Sequence, residues 1–128
     1  MVANTKSLDP CIFVIFGATG DLTHRKLIPA FYRLHLKNEL PKNFVIVGVA
    51  RKDKSHDEFR LDVKKSMNDF LTKTKLDKAD EFFSKVFYYK NNFDTEEAYD
   101  GLNEFLKKLD KLCGIEGNRI FYLATLHD

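Results

Sequence analysis

Cys11-Ile12-Phe13-Val14-Ile15-Phe16-Gly17-Ala18-Thr19-Gly20-Asp21-Leu22 decides how the chain is read. A β-branched and aromatic run without polar alternation suits a strand covered on both faces, the habit of parallel sheets. It runs straight into two glycines, Gly17 and Gly20, and then into a helical pattern. Gly17 permits a tight exit from the strand, and Gly20 leaves backbone bare for a pyrophosphate to approach. Thr19 adds a hydroxyl donor. Glycine turns are common, and the bland reading is a plain strand-to-helix turn. Position after the first apolar strand of a β-α-β unit is what points to a nucleotide.

Outward from this turn, strands and helices alternate. Residues 44–50 form a second continuous apolar run, 86–89 a weaker third and 119–124 a fourth. Leu27, Phe31 and Leu34 fall on one helical face, with a break or kink expected at Pro29. Residues 55–71 carry Phe59, Val63, Met67 and Phe70 at helical spacing, with Lys64, Lys65 and Asp69 on the wet side. Residues 78–85 present Phe82 and Phe83. Thr95 opens the last helix, Leu102, Phe105, Leu106 and Leu109 line its inner face, and Gly114 is its expected stop. The order predicts an α/β fold, a Rossmann-like doubly wound parallel sheet with strand order 3-2-1-4, truncated after the fourth strand. Residues 1–10 read as a flexible N-terminal segment and 11–128 as an incomplete dinucleotide-binding domain, with the substrate domain absent. The fourth strand is then an unpaired edge rich in Ile120, Phe121, Tyr122 and Leu123, an association hazard.

The chain has 128 residues, enough for one domain with a real core. Hydrophobic residues make up 44% and charged residues 31%, an ordinary balance for a soluble globular domain. Twelve Phe, five Tyr and only three Pro argue against disorder. A net charge of +2 is too small to draw the chain to nucleic acid or a membrane by field alone. Apolar runs of strand length fall far short of the roughly 20 residues that span a bilayer. Two cysteines, Cys11 and Cys113, fit a reducing, cytoplasmic setting and make no disulfide framework. No His/Cys/Asp/Glu cluster has metal-ligand spacing. His35 and His56 read as residues of wet helix or loop faces, and the lysines between Lys64 and Lys90 as a solvated face.

Asp21 would repel a pyrophosphate, so its expected work is structural: capping the helix start, and pairing with Arg25 four residues on. Arg51 directly follows the second strand. At that strand end a carboxylate holds the ribose 2′-hydroxyl, whereas an Arg accommodates a 2′-phosphate. Arg51 and Lys52 offer two cations before Asp53, which favours NADP over NAD.

Residues 16–29, Phe-Gly-Ala-Thr-Gly-Asp-Leu-Thr-His-Arg-Lys-Leu-Ile-Pro, resemble the signature of glucose-6-phosphate dehydrogenases. Ile46-Val47-Gly48-Val49-Ala50-Arg51 and Gly117-Asn118-Arg119-Ile120-Phe121-Tyr122-Leu123-Ala124 are similar to two further motifs of that family, in the family's order. The resemblance implies NADP-linked oxidation of glucose 6-phosphate to 6-phosphogluconolactone, the first step of the pentose phosphate pathway, by a homo-oligomeric parent. It implies that Gly17, Ala18, Thr19, Gly20, Asp21, Leu22, Thr23 and His24 cradle the NADP phosphates and that Arg51 binds the 2′-phosphate. Lys26 would lie at the junction of cofactor and sugar phosphate, Asp94 near the adenine, and Ala124 on the floor beside the first strand. Thr23 stands where the family usually has Ala, and its one extra hydroxyl and carbon are expected to crowd helix against strand only modestly. The family's sugar-phosphate site and catalytic His have no counterpart here, so the isolated chain is expected to catalyse nothing. The rival is a non-catalytic NADP-sensing module of the atypical short-chain dehydrogenase type, which also uses Gly-Ala-Thr-Gly. A third possibility is a folding remnant with no ligand function.

Overall fold

The computed structural model describes residues 9–67, 76–91 and 95–124. Asp69, Phe70 and Asp94 lie outside the described residues. Strands β1 (Cys11–Phe16), β2 (Phe44–Ala50), β3 (Val86–Lys90) and β4 (Arg119–Leu123) form one sheet in the order β3-β2-β1-β4. Every pairing is parallel, with Ile12 opposite Val45 and Arg119, and Gly48 opposite Tyr88. All seven residues of β2 are buried, as are Cys11 to Ile15 of β1. That double burial is why both strands read as unbroken apolar runs.

Helices cover both faces. On one lie α1 (Ile28–Leu36), α2 (His56–Ser66) and α3 (Leu76–Phe83), burying Phe31, Tyr32, Phe59, Val63, Met67, Phe82 and Phe83 against Phe13, Ile15, Phe44 and Ile46. On the other, α4 (Glu96–Cys113) seats Leu102, Leu106 and Leu109 on Ile12, Val14, Val45 and Val47. Each fully buried side chain of this size stabilises by about 1.5–3 kcal/mol. The helix ends follow local chemistry. Ser55 Oγ accepts from the Glu58 N–H at 3.0 Å while Glu58 Oε1 accepts from the Ser55 N–H at 2.8 Å, a reciprocal cap on α2. Thr95 caps α4 through the Ala98 N–H, and Gly114 closes it in the left-handed conformation.

Four expectations change. Before α1 the chain makes a π-helical turn, Thr23–Leu27, and Pro29 sits in the first turn of α1. Pro29 has no N–H for the carbonyl four residues back, and just ahead of it Ile28 donates five residues back, to Thr23. The buried stripe of α1 is Ile28, Phe31, Tyr32 and His35, whereas Leu34 is exposed. It is centred one residue later than the apolar pattern because Tyr32 and His35, which that pattern leaves out, are buried. His35 is no wet-face residue: it lies among Tyr32, Phe44 and Phe82, with Nε2 3.5 Å from Glu81 Oε1. Cys11 and Cys113 are free thiols in the cores on opposite faces of the sheet, and burial pushes both up.

His56 is the fourth. On the outer side of β3, the Tyr88 N–H donates to His56 Nδ1 at 2.9 Å, and Arg60 Nε donates to the Val86 carbonyl at 2.6 Å. These two side chains stand one turn apart on α2 and occupy two of the backbone groups that a further strand would need. Arg60 also lies over the Phe87 ring, and His56 stacks on Phe105. The other edge is different. Ile120, Phe121 and Leu123 of β4 are 45%, 54% and 68% exposed. At its start β4 is tied to α4 by a two-pronged Arg119–Asp110 pair at 2.8 and 3.0 Å, which holds the Asp110 carboxyl below its usual range.

Three histidines make the fold acid-sensitive. Burial is the first cause of a lowered pKa at His24, His35 and His56. The folded chain therefore favours the neutral rings, while the unfolded chain protonates them near pH 6.5. Their contribution is fully present above that value and is lost as pH falls through the lower folded values. Urea melts at pH 7.5 and pH 5.5 are expected to show a lower midpoint at 5.5. An unchanged midpoint would contradict this assignment of the rings.

Candidate functional site at the C-terminal ends of the strands

All four strands point their C-terminal ends the same way, and the chain is stitched together there. The N–H groups of Gly17 and Ala18 both donate to the Val49 carbonyl, at 2.9 and 3.1 Å, which fastens the glycine-rich turn to the end of β2. Ala124 N–H donates to Phe16 O at 2.9 Å, and Asn91 N–H to Ala50 O at 2.8 Å. Gly17 has φ +82°, a conformation that side chains resist, and it allows the chain to reverse directly off β1. Its carbonyl accepts from the Gly20 N–H at 3.0 Å and from Thr23 Oγ1 at 3.3 Å. Ala18 is buried over Gly48, where any side chain would lie 2.7 Å from both the Ala18 methyl and the Phe59 ring.

Thr23 thus departs from expectation. Its side chain is fully buried and its hydroxyl is satisfied by Gly17, so it braces the turn from beneath. Asp21 also differs in part. The π turn has Leu22 at its N-cap and no side-chain cap, while Asp21 Oδ2 pairs with Arg25 at 3.2 Å. That pair was legible from the spacing.

A cleft of about 410 Å³ opens on the turn, lined by Thr19, Gly20, Asp21, His24, Arg25 and Ser66. His24 is half-buried, with Nδ1 3.1 Å from Ser66 Oγ and its ring edge-on to Phe59. Its Nε2 is buried without a hydrogen-bond partner. Burial lowers the His24 pKa; Asp62 and Asp21 oppose this and Lys54 adds to it. Asp62 is itself held low by its contact with Lys54. Leu22 and Lys26 are exposed, Lys26 on the π turn.

Arg51 is exposed at the end of β2, two residues beyond the carbonyl that receives the turn. The following loop is anchored where Tyr88 Oη donates to the Lys52 carbonyl at 2.6 Å. Ala124 is half-buried beside the end of β1. Ser66 was missed by sequence reading: nothing near it in the chain marks it, and only the crossing of α2 over the turn delivers it. Among the described residues no group of three His, Cys, Asp or Glu could hold a metal ion. A bare-backbone turn, an open cleft and a cation at the next strand end suit a ligand with a phosphoanhydride and a further charge.

Such a sheet and turn define a doubly wound α/β domain with its ligand crevice beside β1. Residues 14–128 match the family described as glucose-6-phosphate dehydrogenase, NAD binding domain, and the chain belongs to that family. Its relatives include the glucose-6-phosphate 1-dehydrogenase of Chlamydia muridarum, 44% identical over 93% of this chain and 24% of the relative. That of Bacillus subtilis is 36% identical over 94% and 24%. A solved glucose-6-phosphate dehydrogenase in complex with its substrate glucose 6-phosphate superimposes with a TM-score of 0.79 at 29% identity, covering 94% of this chain and 25% of that one. The chain thus spans about a quarter of the length of these relatives. With the family match running from residue 14 to 128, the short-chain dehydrogenase reading is not favoured.

Proposed function

We propose that this chain is the NADP-binding portion of an enzyme that oxidises glucose 6-phosphate at C1 to the 6-phosphogluconolactone. The family match carries the reading, because the relatives it includes are named glucose-6-phosphate 1-dehydrogenases. In that role the Gly17–His24 turn receives the pyrophosphate, with Thr19 giving a hydroxyl donor and Gly20 bare backbone. Arg51 receives the 2′-phosphate, Lys26 faces the sugar-phosphate side, and Ala124 floors the crevice. NADP, when bound there, would supply the hydride acceptor. This chain's residues bind and orient it, and the acceptor for the sugar hydroxyl proton is assigned to none of them.

Preference for NADP over NAD rests on Arg51, exposed and directly after β2. A charge-assisted contact to a phosphate contributes about 1.5–3 kcal/mol, roughly tenfold to a hundredfold in affinity. Calorimetric titration with both cofactors is expected to show that margin, and Arg51→Ala to erase it while leaving NAD affinity near its original value. Equal affinities in the unaltered chain, or an undiminished preference in the variant, would sink the assignment.

A further inference from the structure

One imidazole joins the glycine-rich turn to helix α2. The Ser66 hydroxyl lies 3.2 Å from the Asp62 carbonyl and 3.1 Å from His24 Nδ1, and its single proton serves one of the two. The other ring nitrogen, Nε2, is buried without a hydrogen-bond partner. The Ala18 carbonyl lies beside this ring and favours its charged form. A neutral ring carries one N–H, and a second proton would let Nδ1 and Nε2 both donate. The charged groups around the ring are divided. Asp62 on α2 and Asp21 on the turn favour a cation, Lys54 ahead of α2 opposes it, and Arg25 on the cleft wall is engaged by Asp21. Burial outweighs them in the free chain and keeps the ring neutral.

An anion in the same cleft would change that balance. We propose that His24 is a proton-linked positioning residue: when a pyrophosphate settles on the Gly17–His24 turn, its imidazole takes up one proton from solvent. The imidazolium then offsets the anion's charge and holds the Ala18 carbonyl. The trans peptide turns the Thr19 N–H the opposite way from that carbonyl. This deepens the dinucleotide reading above and rests on it. Because binding raises the proton affinity of the ring, affinity must rise as pH falls, by up to about tenfold for each unit gained.

The test is calorimetric titration of the whole chain and of His24→Gln with NADP at pH 8, 7 and 6. It is run in two buffers of different ionisation enthalpy, with folding checked by circular dichroism. The 2′-phosphate titrates in both proteins alike, so the difference between them isolates His24. The unaltered chain is expected to gain roughly three- to tenfold more affinity than the variant between pH 8 and 6, with net proton uptake. Should the variant fail to fold, the His24 ring protons are followed by NMR in the unaltered chain, where NADP is expected to move their titration upward. Identical pH dependence in both proteins, or a His24 titration unmoved by NADP, overturns the inference and leaves the cofactor site standing. Absence of NADP binding at every pH overturns the site itself, and the inference with it.

Discussion

Gly48→Val is expected to destabilise the fold by about 3 kcal/mol, the upper end of the usual range for overpacking. A side chain there would start 2.7 Å from the Ala18 methyl and 2.7 Å from the Phe59 ring. Neither neighbour can retreat. Ala18 is buried with its N–H bound to Val49, and Phe59 is fully buried with its ring 5.0 Å from that of Tyr88. Strain of this size is a large share of the roughly 5–15 kcal/mol that holds a domain together. Urea unfolding followed by circular dichroism checks it, with Gly48→Ala expected to move the midpoint in the same direction by less. A Gly48→Val midpoint matching the unaltered chain would mean that helix and turn can part from the sheet freely.

Gly20→Val is expected to do the reverse: to keep the fold and lose NADP by at least about a hundredfold, near 2.7 kcal/mol. Gly20 is exposed, and an added Cβ would meet only the Gly17 carbonyl, at 3.3 Å, which a small shift accommodates. The remaining methyls would stand in the cleft that Gly20 lines. Binding is measured by titration and folding by circular dichroism. Native spectra together with binding within threefold of the unaltered chain would show that the phosphates do not approach this backbone.

The strands and their order were legible because each is a short unbroken apolar run closed by turn residues, and because parallel crossovers leave few topologies. Thr95 and Gly114 were legible because caps are local chemistry. The histidines were not. His35 and His56 look polar in the chain, yet neutral imidazole is an aromatic ring with one donor and one acceptor, and surrounding Phe and Tyr rings accept it. Thr23 looked like a crowding risk for a related reason: nothing in the chain shows that the Gly17 carbonyl accepts from its hydroxyl. Ser66 lies 42 positions from His24 in the chain, and no local pattern encodes a meeting made by the packing of two helices.

The sheet has unlike borders, and this gives it a direction of growth. At β3 the His56 and Arg60 side chains act as a selvage, finishing the fabric so that no thread can be added there. At β4 the weave is open. A strand that joins, from the same polypeptide or from another molecule, is expected beside β4, two strands from the turn that lines the cleft. Each addition therefore widens the sheet beyond β4 and leaves the α2–β3 flank, with the Ser66 wall of the cleft, as it stands. Growth of this sheet is, by its construction, one-sided.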